Sequence, residues 1–184
     1  MPQTTMLLSG EELLKKAHDI QLLVVDVDGV LTDGQLYFDN DSRELNAFHT
    51  FDGQGLRMLK QSGVEVGIIS GRNIKLVENR ASDLGMPLII KGREDKYRAL
   101  QDMLSYFPCE LENIAYMGDD WPDLTIMSKV GLALSVASAD IEVKIRSHWV
   151  SSRNGGQGAV RQACNMIMKA QNNYDAALNN YLKP

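Results

Sequence analysis

The chain has little that would support redox, thiol or polyanion chemistry. Its 184 residues include two cysteines and three histidines. Cys109 and Cys164 lie outside any Cys-x-x-Cys pattern, and both read as small, partly buried apolar residues rather than as a disulfide or a nucleophile. Positive charge is not in excess: 19 Lys and Arg stand against 24 Asp and Glu, a net charge of -5, so the footprint of a nucleic-acid binder is not expected. No apolar run approaches the ~20 residues of a membrane span. Met1-Pro2-Gln3-Thr4-Thr5 has no basic region leading into an apolar run, so no signal peptide is expected and the cytoplasm is the expected location. Internal repeats, low-complexity runs and interdomain linkers are also missing. What remains is ordinary: 44% hydrophobic and 23% charged residues, in a length that fits one domain, residues 1–184, with a real core.

One stretch stands out from this background, Leu22-Leu23-Val24-Val25-Asp26-Val27-Asp28-Gly29. Four apolar residues read as a short buried strand. The strand then delivers two carboxylates on alternate positions. A desolvated carboxylate is costly unless it is paired or metal-bound, and ligands of open α/β sheets bind beyond the carboxyl ends of the strands. Asp26 and Asp28 are therefore candidate site residues, with a solvated Asp-Gly turn as the competing reading.

Along the rest of the chain, Ser9 with Glu12 forms a capping-box pattern that opens a helix ending at His18. Residues 35–38 and 44–48 flank Asp39-Asn40-Asp41-Ser42 and read as a β-hairpin inserted before a helix over 53–61. Strands and helices then alternate. Strands are expected at 65–69, 88–90, 114–117, 131–135 and 149–150, and helices at 73–84, 96–107, 122–128 and 139–146. Gly155-Gly156-Gln157-Gly158 precedes a last helix from about 159 to 169 and a polar helix or tail to 184. The alternation indicates an α/β fold, a Rossmann-like, mostly parallel sheet with helices on both faces and a hairpin insertion over about 35–48.

Further polar clusters follow the expected strands: Ser70-Gly71-Arg72, Lys96 at a helix start, and Gly118-Asp119-Asp120-Trp121-Pro122-Asp123. In a parallel sheet these ends share one edge, so Asp26, Asp28, Ser70, Lys96, Asp119, Asp120 and Asp123 could converge. Carboxylates without histidine or thiolate suit a hard cation such as Mg²⁺, while a lysine, a hydroxyl and backbone N–H groups suit phosphoryl oxygens. Taken singly, each has a structural alternative. Lys96 could be a solvated first-turn residue, Ser70 a cap for the helix at Asn73, and Asp123 a helix-dipole partner after Pro122.

Asp-x-Asp-x-Val, a later strand-ending Ser, a later Lys and Gly-Asp-Asp-x-x-Asp, in that order, resemble the four motifs of the haloacid dehalogenase superfamily of phosphotransferases over nearly the whole chain. The resemblance implies that Asp26 is the nucleophile forming an aspartyl-phosphate, and Asp28 the general acid and base. It implies Mg²⁺ held by the Asp26 carboxylate, the Asp28 backbone carbonyl and the Asp119 carboxylate. Asp120 and Asp123 would support that shell or orient Lys96, and Ser70 and Lys96 would hold the phosphoryl oxygens.

The two inter-motif gaps have no room for a covering domain. The hairpin, Phe48-His49-Thr50-Phe51-Asp52-Gly53-Gln54-Gly55 and Gly155-Gly156-Gln157-Gly158-Ala159-Val160-Arg161 resemble the capless branch of 3-deoxy-D-manno-octulosonate (Kdo) 8-phosphate phosphatases. Members of that branch are homotetramers whose hairpins form a central barrel and whose subunits cover each other's sites. The resemblance implies a sugar-acid phosphate substrate, with Gly71, Arg72 and Thr50 as substrate contacts and Arg80 contributed across the subunit interface. Relatives acting on nine-carbon sugar-acid 9-phosphates carry Glu where this chain has Arg72. Phe51 and Gln162 depart from the branch pattern, replacing a basic and an acidic residue. A non-catalytic oligomerisation module is the alternative of another class, and it would be expected to lose part of the acidic set.

Overall fold

The computed structural model describes residues 7–183, so the N-terminal pentapeptide lies outside the described residues. Helix α1 (Gly10–His18) opens on a complete capping box: the Ser9 side chain accepts from the Glu12 N–H, and the Glu12 carboxylate accepts from the Ser9 N–H. Strand β1 (Leu22–Val25) is buried along its full length, as a parallel strand covered on both faces must be. The hairpin strands β2 (Tyr37–Phe38) and β3 (Glu44–Leu45) form their own two-stranded antiparallel sheet. They are shorter than the expected 35–38 and 44–48. Next come α2 (Thr50–Gln61), β4 (Glu65–Ser70), α3 (Lys75–Leu84), β5 (Leu88–Lys91) and α4 (Lys96–Leu104). The chain continues through β6 (Ile114–Gly118), α5 (Leu124–Met127), β7 (Leu132–Ser135), α6 (Ile141–Lys144), β8 (Trp149–Val150), α7 (Ala159–Ala170) and α8 (Tyr174–Leu182).

All six strands of the main sheet run parallel, in the order β5-β4-β1-β6-β7-β8. The chain leaves β1 towards β4 and β5, then returns to the other side of β1 at β6. The direction of winding therefore reverses between β1 and β6, which makes their carboxyl ends the switch-point crevice. Helix α7 packs against α1, α2 and α8 on one face, and α4 packs with α5 on the other. The intervening core is contiguous, with Leu22, Leu23, Leu56, Leu59, Ile68, Ile114 and Met117 fully buried.

Several element ends differ from the sequence reading for local reasons. Helix α2 starts at Thr50 instead of 53, because the His49 side chain accepts from the Phe51 N–H and caps the turn. The helix expected over 122–128 splits into a 3-10 turn at Trp121–Asp123 and the short α5, since Pro122 lacks an N–H and Asp123 is drawn inward by its own bonds. Asp140 caps α6 through the Glu142 N–H, so that helix contracts to Ile141–Lys144.

Candidate active site

Three strand ends build the site. Val25 pairs with Ile68 of β4 and with Met117 of β6, so Asp26 leaves the sheet at the switch point, where its N–H donates to Met117 O at 3.0 Å. Past Asp26 the chain turns on one acceptor: Val27 O accepts from the N–H groups of Leu31 and Thr32 at 2.9 and 3.0 Å. Gly29 has φ +90, and a Cβ there would strike the Asp119 carboxylate, so this turn needs glycine both for conformation and for space. The Gly155–Gly156 segment closes on the same turn, with the Gly156 N–H donating to Val30 O at 2.9 Å.

Strand β6 ends at Gly118 and presents Asp119, Asp120 and Asp123. Asp123 is fully buried. Its Oδ1 accepts from Lys96 Nζ at 2.5 Å and from the Tyr116 hydroxyl at 2.6 Å. Its Oδ2 accepts from the N–H groups of Asp119 at 3.0 Å and Asp120 at 3.2 Å. A carboxylate offers about four acceptor positions, and all of them are used here. Lys96 Nζ also lies 3.0 Å from Asp26 Oδ1, so one buried ammonium bridges the carboxylates carried by β1 and β6.

The charge does not balance. Carboxylate atoms of Asp26, Asp119 and Asp123 lie within 4.8 Å of one another, and among the described residues Lys96 is the one cation paired with them, through Asp26 and Asp123. Burial, followed by the Asp123 charge, pushes Asp26 up to about 8 against the pull of Lys96. The same two causes push Asp119 up to about 7. Burial alone would pull Lys96 down, but Asp26 and Asp123 outweigh it and hold the ammonium above its ordinary value. Among the described residues Asp119 Oδ1 is buried without a hydrogen-bond partner, which is costly for a carboxylate oxygen unless a cation meets it. An all-oxygen donor set, an unpartnered acceptor and surplus negative charge fit a hard divalent cation.

The crevice above is a cleft of about 620 Å³, lined by Asp26, Asp28, Gly71, Arg72, Lys96, Asp119 and Asp120 among others. Seven of the sequence-derived candidates thus meet in one cavity. Ser70 lies beside it, fully buried, with its Oγ accepting from the Arg72 N–H at 3.2 Å. Thr50 opens α2 on the surface and does not line the cleft of its own chain. The Arg80 guanidinium carbon sits 5.9 Å from the centre of the Phe48 ring, and its Nη2 occupies the space beside Gly53, also outside the cleft. The sequence reading missed Tyr116, Glu44 and Glu94. Tyr116 carried a usable signal, because a tyrosine within an otherwise apolar buried strand needs a partner for its hydroxyl. Glu44 and Glu94 carried none.

Comparison with known proteins agrees with this architecture. The profile of the haloacid dehalogenase-like hydrolases matches residues 88–163. The 3-deoxy-D-manno-octulosonate 8-phosphate phosphatase of Escherichia coli is 43% identical over 166 residues, 90% of this chain and 88% of that protein. The crystal structure of the enzyme of that name from Yersinia pestis superimposes with a TM-score of 0.88 at 41% identity, covering 90% of this chain and 89% of that one. The Moraxella catarrhalis enzyme, solved in complex with magnesium ion, phosphate ion and Kdo, superimposes with a TM-score of 0.90 at 41% identity, covering 93% of this chain and 98% of that one. With this identity sustained along nine-tenths of its length, the chain belongs to the 3-deoxy-D-manno-octulosonate 8-phosphate phosphatase family of haloacid dehalogenase-like hydrolases.

Proposed function

We propose that this protein is a Mg²⁺-dependent phosphomonoesterase that converts Kdo 8-phosphate to Kdo and phosphate. The observation that carries the chemistry is the Asp26, Asp119 and Asp123 cluster around Lys96, with Asp119 Oδ1 unpartnered, at the switch point of the sheet. The names of the relatives carry the substrate. The carboxylates of Asp26 and Asp119, with the backbone carbonyl of Asp28, would hold the cation. Asp123, whose acceptor positions are filled, supports them and orients Lys96. When bound, Mg²⁺ neutralises the surplus carboxylate charge and the phosphoryl oxygens, so that an anionic ester can enter an anionic site.

The remaining steps belong to the chain itself. A carboxylate oxygen of Asp26 attacks phosphorus as the bond to the sugar oxygen breaks, and the Asp28 carboxyl gives its proton to that departing oxygen. Water then attacks the aspartyl-phosphate, Asp28 takes its proton, and phosphate leaves with Asp26 restored. Lys96, Ser70 and the backbone of Gly71 hold the phosphoryl oxygens. Arg72 is the natural fork for the sugar-acid carboxylate. No single contact supplies the acceleration such esters require, which can reach ~10²¹, or about 29 kcal/mol. Positioning, charge neutralisation and the divided covalent path must act together.

The working unit is read as one domain over residues 1–184 in a homotetramer, with Arg80 serving a neighbour's site. That reading is supported by the exposed apolar side chains on both faces of the hairpin, Tyr37 and Leu45 on one at 41% and 56% exposure and Phe38 on the other at 60%. A cytoplasmic setting fits the free thiols of Cys109 and Cys164. Among the described residues no helix is long and apolar enough to cross a membrane.

The test is phosphate release with Mg²⁺ from Kdo 8-phosphate, a nine-carbon sugar-acid 9-phosphate, phosphoserine and hexose phosphates, with Asp26→Asn alongside. Preference for Kdo 8-phosphate, abolished in the variant, is expected. Preference for another ester refutes the substrate, and no release from any of them refutes the enzyme.

A further inference from the structure

Arg72 does not stand alone in the cleft. Its Nη1 donates to Glu44 Oε1 at 2.9 Å and to Asp28 Oδ1 at 3.2 Å, and its Nη2 donates to Glu44 Oε2 at 2.6 Å. Glu44 is therefore bidentate on the Nη1/Nη2 end of the guanidinium. It lies on β3 of the inserted hairpin, paired across to Phe38, and its Oε1 also accepts from Asn46 Nδ2 at 3.2 Å. Its side chain is 19% exposed and that of Arg72 36%, so the pair sits at the cleft mouth and not in open solvent.

A guanidinium has five N–H donors in one plane. Glu44 and Asp28 take three. The two left are Nε–H and the outer Nη2–H, which together form the side-on fork that a second carboxylate can engage in a bidentate way. Among the described residues no further hydrogen bond to this guanidinium is found. Without Glu44, the remaining partner of Arg72 in the cleft is Asp28, and the long side chain would lose the anchor that fixes the plane of its free edge.

We infer that Glu44 is a positioning residue for substrate selection: it holds the Arg72 guanidinium end-on, so that the free side-on edge meets the carboxylate of the sugar acid. This inference rests on the reading of Arg72 as the sugar-acid contact. It also means that the group selecting the substrate is anchored to the hairpin rather than to the central sheet.

The test compares Glu44→Gln, Glu44→Asp and Arg72→Ala on Kdo 8-phosphate and on ribose 5-phosphate, a primary phosphate ester without a carboxylate. Arg72 also touches Asp28, so loosening it disturbs acid–base chemistry on both esters. The ratio of the two kcat/KM values cancels that shared effect and isolates the carboxylate. In Glu44→Gln the ratio is expected to fall roughly 10- to 100-fold, through a rise in KM for Kdo 8-phosphate. Glu44→Asp, which keeps the charge on a shorter arm, is expected to recover part of the loss. A ratio unchanged in Glu44→Gln but lowered in Arg72→Ala overturns the role of Glu44 and leaves that of Arg72 standing. A ratio that rises in Glu44→Gln also overturns it, because Glu44 would then compete with the substrate for Arg72. A ratio unchanged in Arg72→Ala refutes the carboxylate reading itself.

Discussion

Asp123→Asn replaces the most heavily committed side chain of the site with one of the same shape. The native carboxylate accepts four hydrogen bonds, from Lys96, Tyr116 and the N–H groups of Asp119 and Asp120. An asparagine has one acceptor oxygen, and its amide nitrogen donates, so in either orientation at least two of those donors lose their partner. If the amide faces Lys96, a 7% exposed ammonium keeps only Asp26. If it faces the backbone, two N–H groups meet a donor. Breaking a buried ion pair costs about 3–5 kcal/mol, and each stranded donor about 1–3. The loss is therefore about 3–6 kcal/mol out of the ~5–15 of a typical domain. With a urea slope near 2 kcal/mol/M, the unfolding midpoint is expected to fall by about 2 M. A second consequence has the opposite sign. The Asp123 charge is the next cause after burial for the raised values of Asp26 and Asp119, so its removal lets both carboxylates ionise at lower pH. The variant should be less stable, poorer in turnover, and yet able to bind Mg²⁺ with a pH midpoint shifted downward. Urea unfolding and metal titration on the same preparations check both. An unchanged urea midpoint together with an unshifted metal–pH profile would refute the assignment of Asp123 as the hub of the site.

Further outcomes follow from the same geometry. In the unfolded chain, Asp26 and Asp119 lose their protons near pH 4, whereas in the folded cation-free protein they do so near 8 and 7. The folded protein thus binds more protons between those limits, so its stability falls as pH rises from about 4 to about 8 and levels off above. Mg²⁺ must displace the same protons, so binding should release up to two of them at pH 6 and almost none at pH 9. Calorimetry in buffers of different ionisation heat reads this, and equal release at both pH values would contradict it. Gly29→Ala places a methyl against the Asp119 carboxylate at φ +90. It should cost about 1–2 kcal/mol in backbone strain and weaken Mg²⁺ binding, which a thermal melt with and without the metal would show. Phe38→Asp with Leu45→Asp should give a smaller assembly by light scattering. The single chain should keep its far-UV spectrum, since both residues are exposed in it.

Much of the site was legible because local rules placed each part before any tertiary contact was known. A run of four apolar residues ending in Asp26-x-Asp28, and an apolar strand ending in Gly118-Asp119-Asp120, already say that carboxylates stand at strand ends. The alternation of strands with helices says that those ends share an edge. Ser9 with Glu12 specified a cap because both partners lie within one helical turn. Element ends were read less well where a side chain outside the periodic pattern intervened, as with the His49 cap and the break after Pro122.

The sequence by itself determined the strand-and-helix order, the four acidic and basic motifs, and the oxygen-only chemistry they can support, because these depend on residue type and short-range spacing. Only the tertiary structure decided where each acid sits and what it bonds. Asp123, and not Asp120, turns inward to meet Lys96, because four donors from three different segments converge on it. Among the described residues Asp119 Oδ1 meets no hydrogen-bond donor, which residue type and spacing do not reveal. Glu44 reaches Arg72 across 28 residues through the fold-back of the hairpin, a contact that no periodicity encodes. Hydrogen-bond saturation and long-range pairing are properties of the packed chain, and they come into being only when β1, β4, β6 and the hairpin are brought to one edge.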